Sequence, residues 1–265
     1  MALTNKVREA KKILKEAAKK SEGPLFLNFS GGKDSCSLVS LASEITDNLE
    51  CIYMKSGIDL PGSVEFVEKQ CETFGLKLHI TDPVKDYMGD FRFWVLEKIG
   101  YFPAISYAWC STRLKLRPER AYLRRIYGNT PLYKCTGVRR AESDRRKKIY
   151  KLKSSIEPDW EHSGSFMVHP LINWTDGDVK NYLKSVNFEI NENYKPYGVS
   201  GCYYCPFYQP SIYMKILKGL PNIYDEIIEM EGILKKPSVN GNRFLGDIKR
   251  YVIEQENLAR WIPQN

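Results

Sequence analysis

The sequence predicts an α/β fold, a parallel sheet flanked by helices, with a helical C-terminal part. Three observations carry this prediction. Short apolar runs alternate with stretches of helical periodicity along the first half of the chain. One of those runs, LFLNF, passes through a glycine-rich turn into SCSLVSLASEI, a strand–turn–helix unit. Past residue 170 the strand-like runs fade and helical spacing takes over.

The elements follow in order. Residues 4–20 place Val7, Ala10, Ile13, Leu14 and Ala17 on one face of a helix whose lysines form a solvated face. PLFLNF reads as a buried strand, SCSLVSLASEI as a helix, LECIYMK as a second strand, SVEFVEKQCETFG as a helix and LKLHIT as a third strand. Helical stretches, YMGDFRFWVLEKIG and RPERAYLRRIYG, interrupt the rhythm over residues 86–127, and LYKCTGV is the fourth strand. In WTDGDVKNYLKSV, Thr175 or Asp176 is the N-cap. YMKILKGL, NIYDEIIEMEGILKK and FLGDIKRYVIEQENLARWI make the C-terminal part helical, with an Asn-Gly loop in EGILKKPSVNGNRF. The expected organisation is an N-terminal helix (1–21), an α/β domain (22–206) and a helical part (207–265).

Composition sets outer bounds. A chain of 265 residues, 43% hydrophobic and 27% charged, suits one globular domain with an appendage, or two small domains. No run is apolar enough to cross a bilayer, and the N-terminus lacks an apolar signal core, so a cytoplasmic protein is expected. Seven irregularly spaced cysteines suit reduced thiols or metal ligands better than a disulfide framework. A net charge of +8 suits a polyanionic partner, nucleic acid or nucleotide phosphates, without choosing between them.

The glycine turn carries the first chemistry. A strand, a glycine-rich turn and a helix N-terminus bring backbone N–H groups to one point, which binds anions. Walker A is excluded, because Gly32-Lys33 is followed by Asp34 and Leu27 stands where its first glycine belongs. What remains is S-G-G-K-D-S, Ser30 to Ser35. It resembles the PP-loop of the ATP-pyrophosphatase, or adenine nucleotide alpha hydrolase-like, superfamily, in which this loop cradles the pyrophosphate half of ATP. The resemblance implies ATP with Mg²⁺ at Ser30, Gly31, Gly32, Lys33, Asp34 and Ser35, with Asp34 either holding Mg²⁺ or steadying the turn.

TGVRRAES, residues 136–143, follows the fourth strand and places arginines at the sheet's carboxyl edge, where open α/β sheets bind ligands. It is similar to the T-G-x-R-x-x-E-S segment of the phosphoadenosine phosphosulfate (PAPS) reductase-like branch of that superfamily. HPLINWTDGDV and GCYYCPF match two further blocks of the branch, so the resemblance covers residues 22–210. It implies a site with Lys33, Asp34, Arg139 and Arg140 in catalysis, and with Ser56, Gly137, Glu142 and Ser143 among the nucleotide contacts. The basic run Arg145 to Lys148 is either a solvated turn or a polyanion contact.

Cys202 and Cys205 form C-x-x-C, which presents two thiolates to one metal or a redox dithiol. The resemblance adds Cys110. WCSTRLK is similar to the C-C-x-x-R-K segment that helps hold a [4Fe–4S] cluster in adenylylsulfate reductases, with Trp109 in place of the first cysteine. That implies a [4Fe–4S] cluster on Cys110, Cys202 and Cys205, with Cys135 as an alternative fourth ligand and zinc as the alternative metal. Cys36, Cys51 and Cys71 are expected in the core.

Two departures turn the expectation away from PAPS reduction. No cysteine follows Cys205, whereas the thioredoxin-linked reductases carry a Glu-Cys-Gly nucleophile in the tail. The PP-loop is intact, whereas those reductases carry a degraded one. The resemblance thus implies an enzyme that adenylates an acceptor, tRNA or the DNA phosphate backbone, for sulfur insertion, with a sulfur donor such as a cysteine desulfurase. The rivals are a PAPS or adenylylsulfate reductase, a non-catalytic nucleotide-binding regulator and an ammonia-using ligase. No membrane partner is expected, and oligomerisation is left open.

Overall fold

The computed structural model describes residues 2–151, 153–160, 162 and 164–261, with side chains to residue 255. The chain divides into two compact units, each assembled from separated stretches. Met1–Met54, Pro61–Thr81 and Glu119–Asn191 form the first; Lys55–Leu60, Asp82–Pro118 and Glu192–Asn265 form the second. The division therefore does not fall at residue 207, as the sequence suggests. Three stretches inside the expected 22–206 domain, Lys55–Leu60, Asp82–Pro118 and 192–206, fold with the C-terminal helices, because burial among distant segments leaves no local pattern to read. Of the expected helical part, 262–265 lie outside the described residues.

The first unit is the α/β one. Its strands are β1 (Leu25–Asn28), β2 (Leu49–Met54), β3 (Lys77–Thr81), β4 (Tyr133–Cys135), β5 (Ile156–Pro158) and β6 (Phe166–Val168). They lie in the order β3-β2-β1-β4-β6-β5. All neighbours are parallel except β5, which runs antiparallel to β6 at the edge. Leu25, Phe26 and Leu27 are all buried, as a strand covered on both faces requires. Leu25 and Leu27 join one core with Cys51 and Cys135, while Phe26 joins Ile52, Leu123 and Leu132 in another.

Helix α1 (Leu3–Lys20) lays Ala10, Ile13, Leu14 and Ala17 into the larger of these cores. Its lysine face is only partly solvated: Lys6 pairs with Asp178 at 2.5 Å and Lys11 with Glu44 at 2.5 Å, while Lys12, Lys15 and Lys19 are exposed. Helices α2 (Lys33–Ser43) and α3 (Ser63–Thr73) follow β1 and β2. Cys36, Cys51 and Cys71 are buried as expected. The four strands read from the sequence are present, and β5 and β6 are additional. Both are three residues long, too short for an alternation to show.

The order reverses between β1 and β4: β2 and β3 continue on one side, β6 and β5 on the other. The turns that leave the carboxyl ends of β1 and β4 flank a topological switch point, the place where such sheets leave a crevice.

The second unit packs around Trp94, Trp109, Tyr204, Tyr213, Tyr224 and Met230. YMGDFRFWVLEKIG forms a short α-turn, Phe91–Phe93, that widens into a π-helix, Trp94–Ile99. The expected C-terminal helices are Pro210–Gly219, Asp225–Leu234 and Leu245–Trp261. Buried Glu231 ties the loop between the last two by accepting from the backbone N–H groups of Ser238 (2.9 Å), Leu245 (2.7 Å) and Gly246 (3.1 Å). No described helix is long and apolar enough to cross a membrane.

Candidate functional site

Ser30 to Ser35 leave β1 and open α2 at the switch point. Gly31 adopts a φ of 69°, which an L side chain rarely takes, and a Cβ there would lie 3.1 Å from Phe66. Gly32 is the N-cap of α2 and supplies no side chain to the first turn. Its carbonyl accepts from the Cys36 N–H at 2.9 Å and from Ser35 Oγ at 2.9 Å. Ser30 Oγ and Ser35 Oγ lie 3.2 Å apart. An uncapped helix start with two hydroxyls beside it is an arrangement that accepts phosphate.

The opposite wall comes from β4. A Cβ on Gly137 would lie 2.9 Å from the carbonyl carbon of Asp34 and 3.0 Å from its oxygen. Only glycine lets this turn approach the first turn of α2 so closely. Arg139 then reaches across. Its Nε donates to Asp34 Oδ1 at 2.8 Å and its Nη2 to Asp34 Oδ2 at 3.3 Å and Asp176 Oδ1 at 3.2 Å. Arg139 is 1% exposed, and its Nη1 is buried with no hydrogen-bond partner among the described residues. Asp176 also pairs with Lys33 at 3.1 Å and Lys180 at 3.1 Å. Burial opposes ionisation of Asp176, but the hydrogen bonds and charges of Lys33 and Lys180 outweigh it and hold the carboxyl at about 2. Sequence reasoning passed over Asp176 as a charged member of this group and weighed it only as an N-cap. The N-cap is Thr175, in a reciprocal box with Asp178.

The remaining predicted contacts divide. Lys33, Asp34, Ser35, Gly137 and Arg139 come together, with Ser30 to Gly32 forming the turn. Between the two roles read for Asp34, both its oxygens are engaged by Arg139, which steadies the turn. Arg140 is committed elsewhere: it donates to Tyr150 O at 2.8 Å, Asn173 Oδ1 at 2.5 Å and Lys153 O at 2.9 Å, so it braces its own loop. Ser143 accepts from the Arg146 N–H at 3.2 Å and caps the helix Asp144–Ile149. Glu142 is exposed and faces Arg146 at 3.7 Å. Ser56 belongs to the second unit, where its hydroxyl donates to Asp59 Oδ1 at 2.9 Å and lies 3.4 Å from Cys202 Sγ.

The second unit brings Cys110, Cys202 and Cys205 into one electrostatic neighbourhood. Cys110 precedes a π-helical stretch, Ser111–Leu116, whose Lys115 hydrogen-bonds Cys202. Burial, with the charges of Cys202 and Cys205, pushes the Cys110 thiol up to about 12. Burial likewise pushes Cys205 up to about 11. The loop between Cys202 and Cys205 is held by phenols: Tyr208 donates to Cys202 O at 2.8 Å, Tyr224 to Tyr203 O at 2.6 Å and Tyr213 to Cys205 O at 2.6 Å. Asp59 and Cys202 form an antiparallel bridge. Among the described residues no three or more His, Cys, Asp or Glu side chains close on a metal ion. Cys135 lies elsewhere, fully buried in β4 in the apolar core of the first unit, which gives a fourth ligand no support.

Comparison with known proteins supplies the relationship. The chain is 28% identical over 218 residues to one uncharacterized protein of Methanocaldococcus jannaschii, covering 81% of this chain and 49% of that one. A second uncharacterized protein of that organism is 25% identical over 261 residues, covering 98% and 50%. The chain thus spans about half the length of the curated relatives it matches. Its fold is similar to PAPS reductase from Candida auris in a phosphate complex (TM-score 0.53, 18% identity, 74% of this chain and 89% of that chain). It is also similar to the U34-tRNA thiolase NcsA from Methanococcus maripaludis with its [4Fe–4S] cluster (TM-score 0.52, 17% identity, 89% and 82%). A third similar structure is Candida glabrata FMN adenylyltransferase with FAD and inorganic pyrophosphate (TM-score 0.54, 16% identity, 76% and 63%). The model of the phosphoadenosine phosphosulfate reductase domain matches residues 24–207, more than half of the chain, around the same glycine turn and arginine brace. The chain belongs to the phosphoadenosine phosphosulfate reductase domain family, within the PP-loop, adenine nucleotide alpha hydrolase-like superfamily.

Proposed function

We propose that the chain is an ATP-pyrophosphatase-type enzyme that adenylates an acceptor for sulfur insertion. One observation carries the reading: the complete Ser30–Ser35 turn opens α2 without a cap, with Lys33 beside it and Arg139 bracing its aspartate. In this reading ATP binds with Mg²⁺, its phosphates meeting the first N–H groups of α2, Ser30, Ser35 and Lys33. An acceptor oxygen attacks the α-phosphorus, the bond to the bridging oxygen of the β-phosphate breaks, and pyrophosphate leaves with that electron pair. The outer sulfur of a persulfide donor, such as a cysteine desulfurase supplies, then displaces AMP, and a thiol reductant cleaves the resulting sulfur–sulfur bond to leave the thiolated acceptor and a disulfide. The protein's part is positioning and charge stabilisation.

The basic balance and the exposed Arg145, Lys147 and Lys148 support a nucleic acid as acceptor. Cys110, Cys202 and Cys205 would hold the metal. These thiols would supply the ligands of a [4Fe–4S] cluster, with zinc as the alternative metal. Such a cluster, when bound, supplies an iron that can carry sulfide.

The test is exchange of labelled pyrophosphate into ATP under anaerobic conditions, with bulk tRNA or duplex DNA supplied. Exchange that depends on one of these acceptors and is lost in Lys33→Ala is expected. Binding of ATP without exchange on either acceptor contradicts adenylation of a nucleic acid. The family match favours a second reading, reduction of PAPS or adenylylsulfate, which predicts tighter binding of those sulfonucleotides than of ATP.

A further inference from the structure

Trp160, in the turn between β5 and β6, is 88% exposed, and among the described residues no other large hydrophobic side chain stands so far into water. Its surroundings in the chain are the opposite: Asp159, His162 and Ser165 are buried. They anchor the turn. Asp159 N–H donates to Ser165 O at 2.8 Å, and Ser165 N–H donates to His162 O at 3.0 Å. Ser165 Oγ lies 2.6 Å from His162 Nδ1 and accepts from the Leu132 N–H at 2.9 Å, which ties the turn to the start of β4. The indole is thus a large flat face presented to solvent from a fixed base, ready for a partner to cover.

The same turn is joined to a cationic helix, Arg117–Tyr127. Asp159 pairs with the buried Lys134 of β4 at 2.8 Å, and Glu119 pairs with the same ammonium at 3.3 Å. The residue before Trp160 and the residue before Arg120 therefore share one buried charge. Arg120, Arg124 and Arg125 are exposed on that helix, with Arg120 and Arg124 one turn apart. The charges of these two are felt at His162, two residues past Trp160. Glu119 is the helix's one carboxylate, and it is buried on Lys134, so the helix itself offers its arginines no exposed acid. Like charges at this spacing weaken a helix, and a polyanion along the face relieves that. The surface is separate from the nucleotide turns. β6 runs parallel to β4, and β4 to β1, so the turn that enters β6 lies at the amino edge of the sheet, opposite the edge that Ser30–Ser35 and Gly137 leave. A ligand that uses both edges is a macromolecule.

We propose that Trp160 with Arg120, Arg124 and Arg125 forms a docking surface for RNA that carries unpaired nucleotides: the guanidinium groups take backbone phosphates, and the indole stacks on one unpaired base. A stacking ring needs an open base face. A duplex keeps its bases stacked on one another, whereas folded RNA presents unpaired bases beside paired ones. The inference rests on the nucleic-acid reading given above and narrows it to RNA, gripped at a point away from the bond that reacts.

Fluorescence anisotropy on the full chain tests it with three labelled probes: an RNA duplex with a single-stranded tail, the same duplex blunt, and a blunt DNA duplex. The tailed RNA is expected to bind most tightly. Trp160→Ala should weaken it about 5- to 100-fold and leave the blunt probes within about 2-fold, while Trp160→Phe, which keeps a ring, restores most of the loss. Arg120→Ala combined with Arg124→Ala should weaken all three probes and lower the slope of log affinity against log salt by about 1.4 to 1.8. Equal weakening of the three probes by Trp160→Ala, weakening of none, or DNA bound as tightly as the tailed RNA overturns the proposal. Pyrophosphate exchange into ATP then separates docking from adenylation. Where RNA promotes exchange, Trp160→Ala should raise the RNA concentration needed for half the maximal rate and leave the rate at saturating RNA unchanged. Tailed-RNA binding that depends on Trp160 without any exchange removes adenylation and upholds the docking surface; RNA-dependent exchange indifferent to Trp160→Ala removes the docking surface alone.

Discussion

Arg139 is a cation almost wholly out of water, and two carboxylates make that tolerable. Asp34 takes it on two nitrogens and Asp176 on one, while Nη1 stays unpartnered. A buried charge that loses a partner costs more than the pair itself contributes. Asp34→Ala therefore acts on the fold as well as on the chemistry. We expect a loss of about 1–3 kcal/mol, below the full cost of stranding a buried charge because Asp176 remains. Asp34→Asn, which keeps an acceptor for Arg139, should lose less than half as much. Urea unfolding of the two variants separates these values, and equal losses would show that Arg139 does not depend on the Asp34 acceptor. Lys33 differs in kind. It is partly solvated and shares Asp176 with Lys180, so it can move to a triphosphate without leaving a buried charge behind.

At the scale of elements, the site is two turns brought together by strand order. The turn after β1 was legible in the sequence because S-G-G-K-D-S, the apolar run before it and the helix after it are all local. Thr175 was legible for the same reason, since its cap closes within three residues on Asp178. The Thr136–His169–Glu157 chain was not: its members lie 33 and 12 positions apart and meet only because β4, β6 and β5 are neighbours. β5 and β6 were themselves too short to read. Arg140 misled for a related reason, because a motif gives residue type but not which partners the fold supplies. The buried histidines also set a pH dependence. Burial depresses His169, and burial with the charge of Lys134 depresses His162. Their contribution is complete above the unfolded histidine value of about 6.5 and is lost as pH falls, because the unfolded chain takes up protons that the native chain resists. Stability should decline from pH 7 to pH 5, and His169→Gln should make that decline shallower. An unchanged slope would mean that His169 is not held neutral.

At the scale of the molecule, the chain forms two units, each with its own core. The nucleotide turns belong wholly to the first. Cys110, Cys202, Cys205, Ser56 and Lys115 belong wholly to the second. The sequence showed the cysteines but not that Lys55–Leu60 and Asp82–Pro118 fold with the C-terminal helices. Cys202→Ser combined with Cys205→Ser should remove iron from anaerobically purified protein while leaving ATP affinity within about 2-fold. Full iron content in that variant would take the thiols out of the account.

The central claim is that the Ser30–Ser35 turn serves ATP itself. Calorimetry on anaerobically purified protein, comparing ATP with Mg²⁺ against PAPS and adenylylsulfate, tests it most directly. ATP should bind at least about 10-fold more tightly than either sulfonucleotide, a difference of roughly 1.4 kcal/mol, and Lys33→Ala should abolish the preference. Tighter binding of PAPS or adenylylsulfate would contradict it and make the reductase reading the correct one.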